Sequence, residues 1–169
     1  MKRVLGSLAL TAALVATVPA AAQAQEAASA DINATATVLA NVSVEGVNDL
    51  RFGDILPGFD RTVSPTNSDA GLFRITGAGD APVTLSFTLP GTLTGPGEPL
   101  TVSFDEESAG FGNMNGTVLE RFDPSSTYTL SLSEGGRDIF LGGTVSTAGD
   151  QAAGSYTGQV TLEVSYSGS

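Results

Sequence analysis

The chain of 169 residues is 41% hydrophobic and 15% charged, carries a formal net charge of −11, and contains no Cys, His or Trp. Those absences exclude a thiolate nucleophile, a Cys/His zinc site, a Ser-His-Asp triad and an imidazole acid–base group working near neutral pH. The acidic balance repels phosphate backbones and argues against nucleic acid as a partner.

The N-terminus opens with Lys2 and Arg3, runs through an apolar stretch from Val4 to Val18 and reaches an A-x-A site at Ala22-Gln23-Ala24. That is the grammar of a secretory signal peptide over residues 1–24, with an apolar core too short to span a bilayer. Cleavage there removes the only lysine, so the mature chain is more acidic still. No second apolar run reaches spanning length, which predicts a secreted, periplasmic or cell-surface protein with no direct membrane insertion. Residues 25–31 read as a flexible leader and residues 32–169 as one domain, which must be stable without disulfides.

From Ile32 the apolar period turns to two. Ile32, Ala34, Ala36 and Val38 alternate with Asn33, Thr35 and Thr37, and the pattern continues through Ala40, Val42 and Val44. This predicts one long half-buried strand or two in series. Turn signals follow at Glu45-Gly46 and Asn48-Asp49, and Leu50, Phe52 and Gly53 predict a short strand that stops at Pro57-Gly58. Further strands are predicted at Leu72–Ile75, Val83–Leu89, Leu100–Phe104, Tyr128–Leu132 and Ile139–Leu141, the last running on to Val145. The stretch Asp105–Gly116 reads as a loop with a tight turn at Asn115-Gly116, and Glu134-Gly135-Gly136 reads as another turn. Tyr156, Val160, Leu162, Val164 and Tyr166 line one face of a final strand. Short strands spaced by Gly, Pro and Asn turns, without a capped helical period, predict an all-β sandwich or barrel, of which the sandwich is preferred.

Few residues suggest chemistry. Asp105-Glu106-Glu107 supplies hard oxygen ligands but lacks a calcium-loop pattern, so it reads as a solvated loop. The serines have no activating base nearby, and the scattered acids suggest no glycosidase pair. Gly135-Gly136 and Gly142-Gly143 lack the phosphate-loop pattern and read as turns and strand ends. No catalytic, cofactor-binding or metal-binding residue is therefore predicted. The two alternating end segments remain. An extended segment of one subunit can complete an open sheet edge of another, with main-chain hydrogen bonds giving affinity and alternate side chains giving register.

Three segments carry a likeness: Asn33–Val38 with Val42 and Val44, Asp49–Gly58, and Gln151–Gly158 running into Val160–Tyr166. With Phe73–Gly77 and Leu141–Thr144 between them, the chain resembles the secreted bacterial proteins grouped as domain of unknown function 4402. More distantly, Leu50-x-Phe52-Gly53 and the strand from Gly154-x-Tyr156 resemble the spore coat U type pilin domains of archaic chaperone-usher pili. That resemblance implies an incomplete immunoglobulin-like antiparallel sandwich finished by a donor strand from a neighbouring subunit. It implies Ile32, Ala34, Ala36 and Val38 as the donor. It also implies the terminal strand, with Val160, Leu162, Val164 and Tyr166, as the edge that a periplasmic chaperone grips before an usher releases it. Such domains commonly carry a disulfide, which this chain lacks. The expected function is an exported, non-enzymatic surface or pilin-like structural or adhesive protein that self-associates. The alternative is a self-contained binding module, for instance for glycans, whose first strand pairs within its own sheet.

Overall fold

The computed structural model describes residues 32–167. The signal peptide and leader read from the sequence lie outside them. The chain divides into two units, Met1–Ala36 and Thr37–Ser169. In the first unit, residues 32–36 are exposed and without regular structure.

The second unit is built of twelve strands: β1 (Ser43–Asn48), β2 (Arg61–Val63), β3 (Gly71–Thr76), β4 (Pro82–Thr88), β5 (Thr92–Leu93), β6 (Leu100–Ser103), β7 (Ala109–Asn113), β8 (Thr117–Phe122), β9 (Tyr128–Ser131), β10 (Arg137–Leu141), β11 (Gly143–Ser146) and β12 (Thr161–Tyr166). The described residues hold no helix, and every strand pair is antiparallel. One sheet has the order β1-β3-β10-β7-β8, a second β12-β4-β9 and a third β2-β11-β6-β5. In the third sheet, β2, β11 and β6 repeat the order of β3, β10 and β7, each next to its partner in sequence. These three strands therefore bend part-way and continue as a second, smaller sheet.

The order β1-β3-β10-β7 is that of strands A, B, E and D in the constant-type immunoglobulin sandwich, and β4 beside β12 stands as C beside F. Ile75, Ile139, Leu141, Ala109 and Phe122 from the first sheet meet Val83, Leu85, Leu130 and Leu162 from the second in one core. The alternation read in the sequence comes from this packing, since every second residue of a strand points at the facing sheet. Beneath the bent part, Leu100, Val102 and Val145 form a satellite cluster with Phe52, Ile55, Leu93, Phe104 and Tyr156 against it. On the outer face of the first sheet the Arg74 guanidinium grips the Asp138 carboxylate through Nε at 2.9 Å and Nη2 at 3.2 Å. That hydrogen-bonded carboxylate raises the Arg74 pKa above its ordinary value.

Several elements differ from the sequence reading. Among the described residues up to Asn48, strand structure is confined to Ser43–Asn48, and the alternation from Ile32 to Val42 has no sheet partner among them. Glu45-Gly46 and Asn48, which carry turn-forming residues, lie within β1. The register slips between Gly46 and Asn48, and Val47 is the extra residue of a bulge. Leu50, Phe52 and Gly53 form no strand. The stretch expected to be a loop contains β7, whose glycines hid it. A side chain at Gly110 would collide with Val118, and one at Gly112 would collide with the Thr117 carbonyl of the paired strand β8. The turns at Asn115-Gly116 and Glu134–Gly136 stand where expected, with positive φ at Gly116, Gly135 and Gly136.

Candidate functional site

In a seven-stranded immunoglobulin sandwich strand F lies between C and G. Here β12, in the place of F, pairs with β4 alone, and among the described residues no strand lies along its other edge. An open groove of about 980 Å³ borders the segment that leads into β12, with Val160 as the last residue of its lining. One wall is the continuation of β1 from Gly46 to Ile55, and the other is the approach to β12 from Gln151 to Val160. The floor is apolar: Leu93, Leu100, Val102, Phe104, Leu141 and Val145.

The two walls share a feature that defines what the groove can bind. Among the described residues, the backbone N–H groups of Phe52 to Leu56 and of Ala152 to Tyr156 make no hydrogen bond within the chain. The neighbouring positions are anchored: Arg51 N–H donates to Asp69 at 2.9 Å, and Thr157 N–H donates to Thr94 at 2.9 Å. These two runs of unpaired N–H groups border the apolar floor, although each is bent at a positive-φ glycine, Gly53 and Gly154, and the Leu56 and Ala152 carbonyls are already engaged. Unpaired main-chain donors beside an apolar surface are what an added strand pairs with.

The walls are held in place by specific contacts. The Tyr156 hydroxyl donates to the Ala152 carbonyl at 2.9 Å and accepts from Gln151 Nε2 at 2.8 Å, while the same Nε2 donates to the Glu98 carbonyl at 2.6 Å. A tyrosine near the start of strand F bonding to backbone a few residues upstream is a corner motif of immunoglobulin-like sandwiches. The corner requires Gly95, where a Cβ would collide with the Tyr156 ring. The opposite wall is braced by Thr147, whose hydroxyl donates to the Phe59 carbonyl at 2.9 Å and accepts from Phe59 N–H at 3.2 Å. Gly58 N–H donates to Ala148 at 3.0 Å. The groove walls are thus held at Tyr156 and Thr147, and the N–H groups along them are left to solvent.

The residues singled out in the sequence fall in three places. Ile32, Ala34, Ala36 and Val38 are exposed, Ile32 at 93% and Val38 at 94%. Tyr156 and Val160 line the groove. Leu162 is buried in the main core, with Val164 and Tyr166 packed against it. The apolar β12 side chains therefore face inward while Thr161, Glu163 and Ser165 are exposed, and the free edge of the strand is its backbone. Sequence reading missed the Phe52–Leu56 wall. Its signal was an apolar alternation at Leu50 and Phe52, whose side chains pack on the two clusters although the segment forms no strand.

The acidic loop is satisfied internally. Asp105 accepts from Ser108 Oγ at 2.7 Å and from Glu107 N–H at 3.0 Å, and the Ser108 bond leads the interactions that lower its pKa. Arg121 reaches Glu107 at 3.3 Å. Among the described residues, no helix is long and apolar enough to cross a membrane.

The profile of the family described as Domain of unknown function (DUF4402) matches residues 42–166. No curated protein matches the chain. The matched stretch covers both walls of the groove and leaves Ile32 to Asn41 outside it.

Proposed function

The chain belongs to the DUF4402 family, and from that premise we propose that it is an exported, non-enzymatic structural subunit of the bacterial surface that assembles with its own copies by strand donation. The observation that carries this reading is the groove with its two facing runs of unbonded N–H groups. An alternating segment suited to fill it is exposed in the same chain. Ile32, Ala34, Ala36 and Val38 would present the apolar face to Leu100, Val102, Phe104 and Val145, while Asn33, Thr35 and Thr37 face solvent. The likeness to archaic pilin domains favours the same arrangement, with a periplasmic chaperone covering the groove until an usher exchanges it for a neighbour's strand. The signal-peptide grammar of residues 1–24 supports export, and the lack of His and Cys supports a role other than catalysis.

Deleting Gln25–Val38 is the direct test. The truncated subunit should no longer form a ladder of multimers in size measurement yet still be held by a chaperone through its groove. Multimers that persist after the deletion would contradict strand donation. A full mature chain that stays monomeric and melts cooperatively without a chaperone would favour a self-contained binding module.

A further inference from the structure

Six asparagines stand in the chain, and only Asn115 is followed by glycine. Asn115-Gly116 lies in the turn that joins β7 to β8, a loop of three residues between the paired Asn113 and Thr117. Gly116 closes that turn at φ 81°, the left-handed conformation that a three-residue hairpin loop needs at its last position. Residues 113–117 are all exposed, and nothing lies within 4 Å of where a Cβ at Gly116 would stand. The pair marks a turn, and its hydrogen bonds also give it chemistry.

Three groups here are arranged for a reaction within the chain. The Thr117 N–H donates to Asn115 Oδ1 at 3.1 Å. That bond draws electron density from the carboxamide carbon and steadies the negative charge its oxygen gains when a nucleophile adds. The Asn115 carboxamide nitrogen makes no hydrogen bond among the described residues, so nothing holds the leaving group. The Gly116 N–H likewise donates to nothing among them, and no Cβ shields it. Asn113, two residues earlier, shows the contrast. Its Oδ1 accepts from Arg137 Nη1 at 2.6 Å, and the residue after it is Met114.

We infer that Asn115-Gly116 is a modification site at which the folded turn promotes loss of the side-chain amide, a reaction that needs no partner and is independent of strand donation. The Gly116 nitrogen adds to Asn115 Cγ and gives its proton to solvent. The Cγ–Nδ2 bond then breaks, and Nδ2 leaves as ammonia after taking a proton from water. A second molecule of water opens the cyclic imide that remains. Addition of water at Cγ breaks the bond from Cγ to the Gly116 nitrogen and yields aspartate. Addition at the main-chain carbonyl carbon yields isoaspartate, whose backbone runs through Cγ and is one methylene longer. The proton given up by the Gly116 nitrogen returns to it in either case, so the sum is water consumed and ammonia released, with no change of oxidation state. Aspartate preserves the turn, because its carboxylate still accepts from Thr117. Isoaspartate lengthens the loop at the end of β8, which has no neighbour on its outer side among the described residues, so the hairpin frays from there.

The test is a time course on the full mature chain in mildly alkaline buffer, read by peptide mass and by chromatographic separation of aspartate from isoaspartate. Asn115 should lose its amide at least about ten times faster than any other asparagine, a gap of ~1.4 kcal/mol in activation free energy. The folded chain should also react at least as fast as the same chain unfolded in guanidinium chloride, which separates a site built by the fold from the reactivity of any Asn-Gly pair. A folded chain that reacts more slowly than the unfolded one would overturn the proposal, because the turn would then protect the pair. So would a rate at Asn115 no higher than at Asn67 or Asn113. Gly116→Ala should slow the loss several-fold with Asn115 and Thr117 still in place, and an unchanged rate would remove the bare Gly116 nitrogen from the account.

Discussion

Where β8 and β9 bring the two main sheets together, Phe122 stacks on Tyr128 with ring centroids 4.2 Å apart, Phe111 packs on Tyr128 at 5.9 Å and the Tyr128 hydroxyl donates to Glu120 at 2.8 Å. Where β1 and β12 form the opposite flank, the sheets are tied at Tyr166 and Ala40, and beyond Val160 a groove opens whose rims carry N–H groups without a partner among the described residues. Both flanks face the same problem, two sheet edges and an apolar interior to keep from water. One solves it with aromatic side chains supplied in the same chain. The other leaves a groove open among the described residues, with its walls held at Tyr156 and Thr147.

The largest expected effect comes from breaking the sealed flank. Phe122→Ala removes the centre of the stack from a buried site and should cost about 3–5 kcal/mol in urea unfolding. A loss below 1 kcal/mol would mean the stack is not what closes that side. Thr147→Val removes the brace of the groove wall and should cost about 1 kcal/mol, with faster amide exchange at Gly58 and Phe59. Unchanged exchange there would mean the wall is held by other contacts.

The smallest effect is a pH signature of the sealed flank. Burial, helped by the bond to Glu120, pushes the Tyr128 pKa up from 10.0 to about 12. A raised folded-state value gives stability that is fully present below pH 10 and is lost as pH rises through about 12, because the unfolded chain releases the proton first. An alkaline titration of the melting temperature should show that fall, and Tyr128→Phe should flatten it. An unchanged slope in the variant would place the alkaline loss elsewhere.

The sealed flank and the main core were largely legible in the sequence. Leu162 and Val164 in β12, Val83 and Leu85 in β4 and Leu130 in β9 alternate because each strand buries one face. The turns at Asn115-Gly116 and Glu134–Gly136 announced themselves through residues that tolerate positive φ. β7 was hidden because Gly110 and Gly112 leave the space their neighbours Val118 and Phe140 occupy, which looks like loop composition. The groove side misled in the other direction. The alternation from Ile32 to Val42 reads as strand although it has no sheet partner among the described residues, whereas β1 runs from Ser43 across the turn-forming Glu45-Gly46. Periodicity reports which face of a segment is suited to burial, without saying what covers it.

Adding the proposed strand from outside tests the central claim most directly. In a full-length mature chain carrying Ile32→Asp and Val38→Asp, the chain's own donor face is spoiled while the groove is untouched. A synthetic peptide of residues 31–39 with the native sequence should then raise the melting temperature in a saturable way. The gain should reach about 2.7 kcal/mol when the peptide is at a hundred times its dissociation constant. The peptide carrying the same two aspartates should have no effect. A melting temperature indifferent to the native peptide at every concentration, or raised equally by both peptides, would contradict the reading of the groove as a strand acceptor.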